Sequence, residues 1–405
     1  VRTRSAFAAL SVFFIVLLGA CSEQDTVSPL QREQLFNLGY GVLEDQVNLF
    51  SIEGQAPSLK TRIAMRDGIF FVSNGNASKI MAFSSFGDLL MMIYNPDSNP
   101  EPVILKPAAL DAPSQGRVAR TYPLNAPGFI AVDSRRTIFV EDRVPESRVM
   151  YDPELNASLE YVVLRFSRDG EFLDYLGQEG IGGTPFPLIA GIYITEADEC
   201  AVVTMSGEGW SVYWFDRSGF LVSNVMVRRS ALPLPEKADG LIASFDGIVP
   251  SPDGQGLLVK IDYFREIIDQ ETRTKAGIEF VNSLVWRMDH LDGEYLETYE
   301  LPPFESMSAI RSGDEVVPRS WDFGGAAAGN IYFSAVDEDG QTYYALYEMT
   351  ARSMRRFALG IEADELRYVT FSLAPEGILS ALLGSSYEAR IVWWRFDKLA
   401  GGLVR

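Results

Sequence analysis

The sequence predicts an all-β fold: a six-bladed β-propeller of four-stranded antiparallel blades, closed by an N-terminal strand. Two observations carry this. One strand signature recurs six times, and short apolar runs of strand length stand before and after most copies. The signature is an apolar strand, one or two polar residues, a Phe or Met, a small polar residue and a turn. Its copies are Ile80–Gly87, Val163–Gly170, Val212–Gly219, Val285–Gly293, Leu346–Ser353 and Val392–Lys398, the last two without the expected glycine. A β-sandwich gives no reason for such a repeat. The runs are also too short, and too rich in β-branched and aromatic residues, for helices.

The anchor residues of the six copies are Phe83, Phe166, Phe215, Met288, Met349 and Phe396. Each is expected to pack between neighbouring blades, where one sheet buries its face against the next. Successive anchors lie 83, 49, 73, 61 and 47 residues apart. The shortest spacing fits a bare blade of roughly 40–50 residues; the longer ones must hold insertions. A second apolar run precedes each copy: Gly68–Val72, Thr137–Val140, Cys200–Val203, Gly256–Val259, Gly329–Phe333 and Gly377–Ala381. Four of these begin at glycine, as a tight turn into a strand would. Upstream lies a third run, as in Phe129–Val132, Ile189–Ile194, Gly247–Val249 and Tyr368–Phe371. A fourth follows, as in Glu171–Leu176 and Glu294–Tyr299. After Phe396 too little chain remains for an outer strand. The strand-like segment Gly41–Ile52 is therefore expected to supply or complete the last blade, because an open ring leaves unpaired edges.

The start of the chain reads as a secretory signal. Arg2 and Arg4 precede the uncharged apolar run Ala6–Leu18, and small residues follow. That run is shorter than the roughly 20 residues a membrane span needs. Leu18-Gly19-Ala20-Cys21 resembles the lipobox of bacterial lipoproteins. The resemblance implies cleavage between Ala20 and Cys21, acylation of the Cys21 thiol and of the new amino end, and a membrane anchor. Each buried methylene contributes roughly 0.8 kcal/mol, and two or more chains are needed for lasting attachment. The expected organisation is a signal peptide at 1–20, a lipidated N-terminus and tether at 21–38, and a single propeller at 39–405. The blades resemble NHL-type six-bladed propellers, most clearly through Asp67–Val72 with Ile80–Gly87. The whole chain is similar to uncharacterised spirochaetal lipoproteins. These resemblances imply a fold and a location in the bacterial cell envelope, facing the periplasm or the cell surface. They imply little about activity, since NHL relatives include enzymes, scaffolds and binding modules.

Charge narrows the partners. The chain carries a formal −20; from Cys21 onward 33 basic residues face 55 acidic ones. Nucleic acid and anionic lipid are disfavoured as general partners. The expected partners are the membrane, through the acyl chains, and an envelope protein or small ligand. With Cys21 assigned to lipid, Cys200 has no disulfide partner and reads as a buried small hydrophobe. The single histidine, His290, reads as a solvated turn residue. No catalytic residue, metal ligand or cofactor is assigned. Asp337–Gly340 lacks the spacing of a calcium loop and reads as a hairpin turn. Gly324–Gly329 lacks the context of a nucleotide loop and reads as a flexible lead into the next strand.

In an up-and-down blade, connections between strands two and three and between blades fall on one face of the disc. The long segments 142–160, 262–282, 95–127, 232–246 and 302–320 mostly belong there, whereas the turns at 134–136, 168–170 and 217–219 belong to the other. Long loops on a rigid scaffold often carry binding. The side chains that suggest it are Arg143, Arg148, Tyr151, Tyr263, Arg265 and Arg273, residue types that combine reach, hydrogen bonding and apolar area. Tyr263–Thr272 could equally form a short surface helix. The expected function is a membrane-anchored envelope lipoprotein acting as a protein- or ligand-binding propeller. The alternative is a hydrolase or lyase with a carboxylate/divalent-metal site in the central channel, or a small-molecule or glycan sensor. Carboxylates converging on the channel mouth would favour the enzyme; an Arg/Tyr-rich rim would favour binding.

Overall fold

A computed structural model describes residues 27–50, 59–107 and 117–400. Six antiparallel sheets follow one another along the chain, as the repeats predict. Blade one runs Thr61–Arg66, Ile69–Asn74, Lys79–Ser84, Leu89–Tyr94. Blade two runs Ile130–Val132, Ile138–Arg143, Tyr161–Phe166, Phe172–Gly177. Blade three runs Leu188–Ile194, Cys200–Met205, Gly209–Phe215, Leu221–Arg228. Blade four runs Leu241–Pro250, Leu257–Ile268, Lys275–Met288, Tyr295–Leu301. Blade five runs Asp322–Ala327, Asn330–Val336, Thr342–Glu348, Ser353–Ala358. Blade six runs Tyr368–Leu373, Ile378–Gly384 and Glu388–Arg395, and takes its fourth strand from the chain's start.

The core is divided into six apolar clusters, each drawn from two neighbouring blades. The anchors behave as the signature predicts. Phe83 packs between blades six and one, Phe166 between one and two, Phe215 between two and three, and Met288 between three and four. Phe396 packs between five and six, and Met349 lies half-buried against the four–five cluster. Cys200 is buried in the two–three cluster, where desolvation pushes its thiol up to about 12.

The ring closes by an N-terminal strand, but not the expected one. Arg32–Tyr40 pairs antiparallel with Glu388–Arg395. Leu38 is buried in the six–one cluster, and the Phe36 ring lies 5.5 Å from Phe83 and 5.9 Å from Phe70. Ser28–Pro29 adds parallel to the outer strand of blade five. The propeller therefore begins by Ser28, inside the segment expected to be tether. Of Gly41–Ile52, only Gln46–Val47 joins the sheet, parallel to Gly39–Tyr40; 51–52 lie outside the described residues. The rest of this turn is pinned by charge. The Glu44 carboxylate accepts from the backbone N–H groups of Val103, Ile104 and Leu105, and the buried Lys79 ammonium donates to the carbonyls of Val42 and Leu43.

Three other expectations are corrected. Gly324–Gly329 is no flexible lead: Asp322–Ala327 is the innermost strand of blade five, and its small residues suit the crowded ring axis. Tyr263–Thr272 is not helical but continues a strand into a hairpin tip. His290 is half-buried rather than solvated, its ring 4.4 Å from Trp214 of the preceding blade. Asp337–Gly340 is the expected hairpin turn, with the Asp337 carboxylate accepting from Ser306 and Ser308. Cys21, Ala20 and the signal region lie outside the described residues.

Candidate functional site

The long connections place two features on one face: a rim built by blades two and four, and the mouth of the central channel. On blade two, Arg143 ends the second strand and pairs with Glu160 at 2.7 Å. Arg148 donates to the Tyr175 hydroxyl at 2.9 Å, its guanidinium 5.1 Å from that ring's centre. Tyr151 is 62% exposed on a small hairpin and donates to Asn156. On blade four, exposed Arg265 sits 3.8 Å from Glu279, and Arg273 occupies the hairpin tip. Tyr263, expected among the binding residues, is fully buried. Its hydroxyl donates to the Pro233 carbonyl and accepts from the Trp286 indole, so it supports the strand from beneath. The remaining five candidates thus form two groups, with blade three between them.

Blade four also builds a tongue that sequence reasoning missed. Its first three strands run past the body of the sheet, where residues 241–243, 263–268 and 275–282 pair only with one another. The fourth strand pairs only from Ser283 onward, so Lys275–Asn282 has a free outer edge among the described residues. Ile242, Phe264 and Phe280 lie directly opposite one another and share a face, with Ile278 two residues further on. The tongue's base is clamped by Phe245, stacked on Trp210 at 3.8 Å, with Arg229 over the same indole.

The channel runs along the innermost strands of all six blades and encloses about 280 Å³. At its long-loop mouth, Lys60 meets Glu141 at 2.5 Å, with its ammonium 4.7 Å from the Phe129 ring centre and 5.6 Å from that of Tyr161. Glu141 is buried and also accepts from the Phe129 N–H. Gly128 is required here, because a Cβ would stand 2.2 Å from the Glu141 carboxylate. Across the mouth, fully buried Lys260 bridges Asp246 at 3.0 Å and Asp262 at 2.6 Å, and Ser283 donates to Asp262. Burial raises the Asp246 pKa, while Lys260 pulls it back. Among the described residues, no group of three or more His, Cys, Asp or Glu side chains could hold a metal ion.

Asp142, beside Glu141, forms no ion pair among the described residues. It accepts from the backbone of Asn125 and Ala126, and desolvation pushes it up to about 6 from an ordinary 3.8. Because the folded value lies above the unfolded one, folding favours the protonated form. That contribution is full below pH 3.8 and is lost as pH rises through 6. Between pH 4 and 7 the wild-type protein is therefore expected to lose up to about 3 kcal/mol that Asp142→Asn does not lose. Urea denaturation at both pH values measures this; parallel pH profiles for the two proteins would contradict it.

Ring, blades and channel define a six-bladed β-propeller protein. No protein-family model and no curated protein matches the chain. Among solved structures it is similar to a streptogramin B lyase, at 12% identity over 90% of this chain and 98% of that one, with a TM-score of 0.37. It is similar to a putative gluconolactonase at 11% identity over 91% and 94%, TM-score 0.40. It is also similar to the WD40 domain of coronin from Toxoplasma gondii, at 8% identity over 91% and 87%, TM-score 0.43.

Proposed function

We propose that this chain is a lipid-anchored protein of the bacterial envelope whose propeller is a binding scaffold, docking an envelope protein through the long-loop face. The observation that carries the reading is the blade-four tongue. It leaves Ile242, Ile267, Ile268 and Ile278 between 42% and 55% exposed, flanked by Arg265, Arg273 and Lys275. Apolar patches rimmed by charge mark interaction surfaces, and a free strand edge offers backbone pairing as well. The anchor rests on Leu18–Cys21. The hydrolase or lyase alternative has less support, because the mouth carboxylates Glu141, Asp246 and Asp262 are each engaged by a lysine.

The two halves of the proposal are tested separately. Cys21→Ser is expected to lose acyl labelling and leave the membrane fraction; equal labelling of both proteins would reject the anchor. A photo-crosslinking residue at Ile267 or Ile278 is expected to capture the same protein in intact cells. One at Phe86, exposed on the opposite face, is expected to capture none. No adduct at the tongue, or the same adduct at Phe86, would reject the docking surface.

A further inference from the structure

We infer that the central channel binds a small organic monoanion with an apolar body, held through its charged group by Arg62 at the long-loop mouth. The inference is independent of the anchor and of the partner at the tongue.

Arg62 stands on the innermost strand of blade one and lines the cavity. Its guanidinium lies 4.9 Å from the centre of the Phe129 ring and donates to the Thr61 carbonyl at 3.0 Å. Among the described residues it forms no ion pair, in a chain where 55 acidic residues outnumber 35 basic ones. A guanidinium offers five donors in a planar fork suited to a carboxylate, and one donation leaves the rest free. Neighbouring Lys60 does not compete. Glu141 neutralises it, and it reaches across to the Ile189 carbonyl of blade three at 3.4 Å, bracing the mouth.

Tyr193, on blade three, supplies a second donor. Its ring folds back over Gly191 toward the same mouth, so that a Cβ at position 191 would lie 2.8 Å from the hydroxyl. The hydroxyl has no hydrogen-bond partner among the described residues, and burial pushes the phenol up to about 12, which keeps its proton in place at neutral pH. The rest of the lining combines apolar side chains such as Ile63, Phe371 and Leu373 with Thr195, Ser251, Thr370, Ser372 and glycine backbone, in about equal apolar and polar measure. The lining's one acidic residue, Glu196, lies just past the end of Leu188–Ile194, at the opposite mouth. A concave cavity that offers apolar surface for a ligand's body and a few hydrogen-bonding groups for its head describes a small-molecule site. Asp246, Asp262 and Asp322 stand outside the lining, around Lys260. With the chain's −20 they repel multiply charged anions and leave a single charge as the best fit.

Benzoate is a suitable probe, with benzyl alcohol as its neutral counterpart. Equilibrium titration of the purified full chain is expected to show saturable benzoate binding and none of benzyl alcohol. Affinity should fall about tenfold or more in Arg62→Gln, fall less in Arg62→Lys, and fall by a few-fold in Tyr193→Phe, as loss of charge-assisted and neutral hydrogen bonds predicts. Circular dichroism checks that each variant folds. Should Arg62→Gln fail to fold, Tyr193→Phe and the neutral counterpart decide. Absence of saturable benzoate binding, unchanged affinity in the folded variants, or equal binding of benzyl alcohol would overturn the assignment.

Discussion

A chain that begins at Gly41 is expected to lose the cooperative thermal transition that a chain beginning at Val27 retains. Arg32–Tyr40 provides the outer partner for Glu388–Arg395, and without it blade six ends in an open edge. The loss reaches beyond one sheet. Leu38 leaves the six–one cluster, Phe70 and Phe83 lose the cover of Phe36, and buried Glu365 loses Arg32 from a pair of arginines that includes Arg390. Truncating Leu38 alone to alanine should remove about 2–5 kcal/mol. Domains are stable by only about 5–15 kcal/mol, so removal of the whole strand exceeds what the fold can lose. Calorimetry of both chains measures the effect, and a peptide spanning 28–40 should restore the transition. A melting temperature within a few degrees of the longer chain would mean that the ring closes some other way.

Lys260→Met is expected to destabilise the protein by about 3–5 kcal/mol at pH 7, the scale of breaking a buried pair and leaving its partner charged. Here two partners remain, Asp246 and Asp262, with Ser283 and the Phe323 N–H as their surviving donors. The pH dependence separates this from simple loss of packing. Burial already raises the Asp246 pKa, and Lys260 is the group that opposes the rise. Without it the folded-state Asp246 carboxylate lies further above its unfolded value. The folded state then holds protons that the unfolded state releases, so stability falls as pH rises through the folded pKa. The deficit should be largest at pH 7 and shrink toward pH 4. Urea titrations across that range read it directly, and a deficit equal at every pH would assign the effect to packing alone.

The blades were legible because each repeats one demand. The third strand must end on or beside a large apolar residue that fills the gap to the preceding sheet, and six such endings stand out in the sequence. The closing strand was not, for a local reason. Glu33, Gln34 and Asn37 make Arg32–Tyr40 look polar, and a bulge between Gln34 and Phe36 breaks the strict alternation that marks a half-buried strand. The tongue was hidden because its apolar residues are exposed and interleaved with charge, so it reads as loop. Arg143, Arg148, Tyr151, Arg265 and Arg273 were findable as exposed residues of the long connections and the strand ends beside them, whereas Tyr263 continues the buried alternation of Leu257–Ile261 and could have been excluded on that ground. The channel residues left a fainter signal. Lys260 and Glu141 are charges inside apolar strand runs, Leu257–Ile261 and Ile138–Glu141. Each such charge needs a partner: Lys260 finds Asp246 and Asp262 within its own blade, whereas Glu141 needs Lys60 from beside blade one, which only the packing of neighbouring blades brings near.

The closing seam also orders events in time. Arg32–Tyr40 is made before any of the blades, yet the strand it pairs with, Glu388–Arg395, follows every other blade strand in the sequence. No earlier blade can satisfy that edge in its native place, so a nascent chain carries an unmatched β-strand until Glu388–Arg395 arrives. Joining ends so distant in sequence costs more loop entropy than any contact within a blade. Completion of the disc therefore waits for Glu388–Arg395, and a chain lacking that strand and Ile378–Gly384 would present two sticky ends instead of one finished surface.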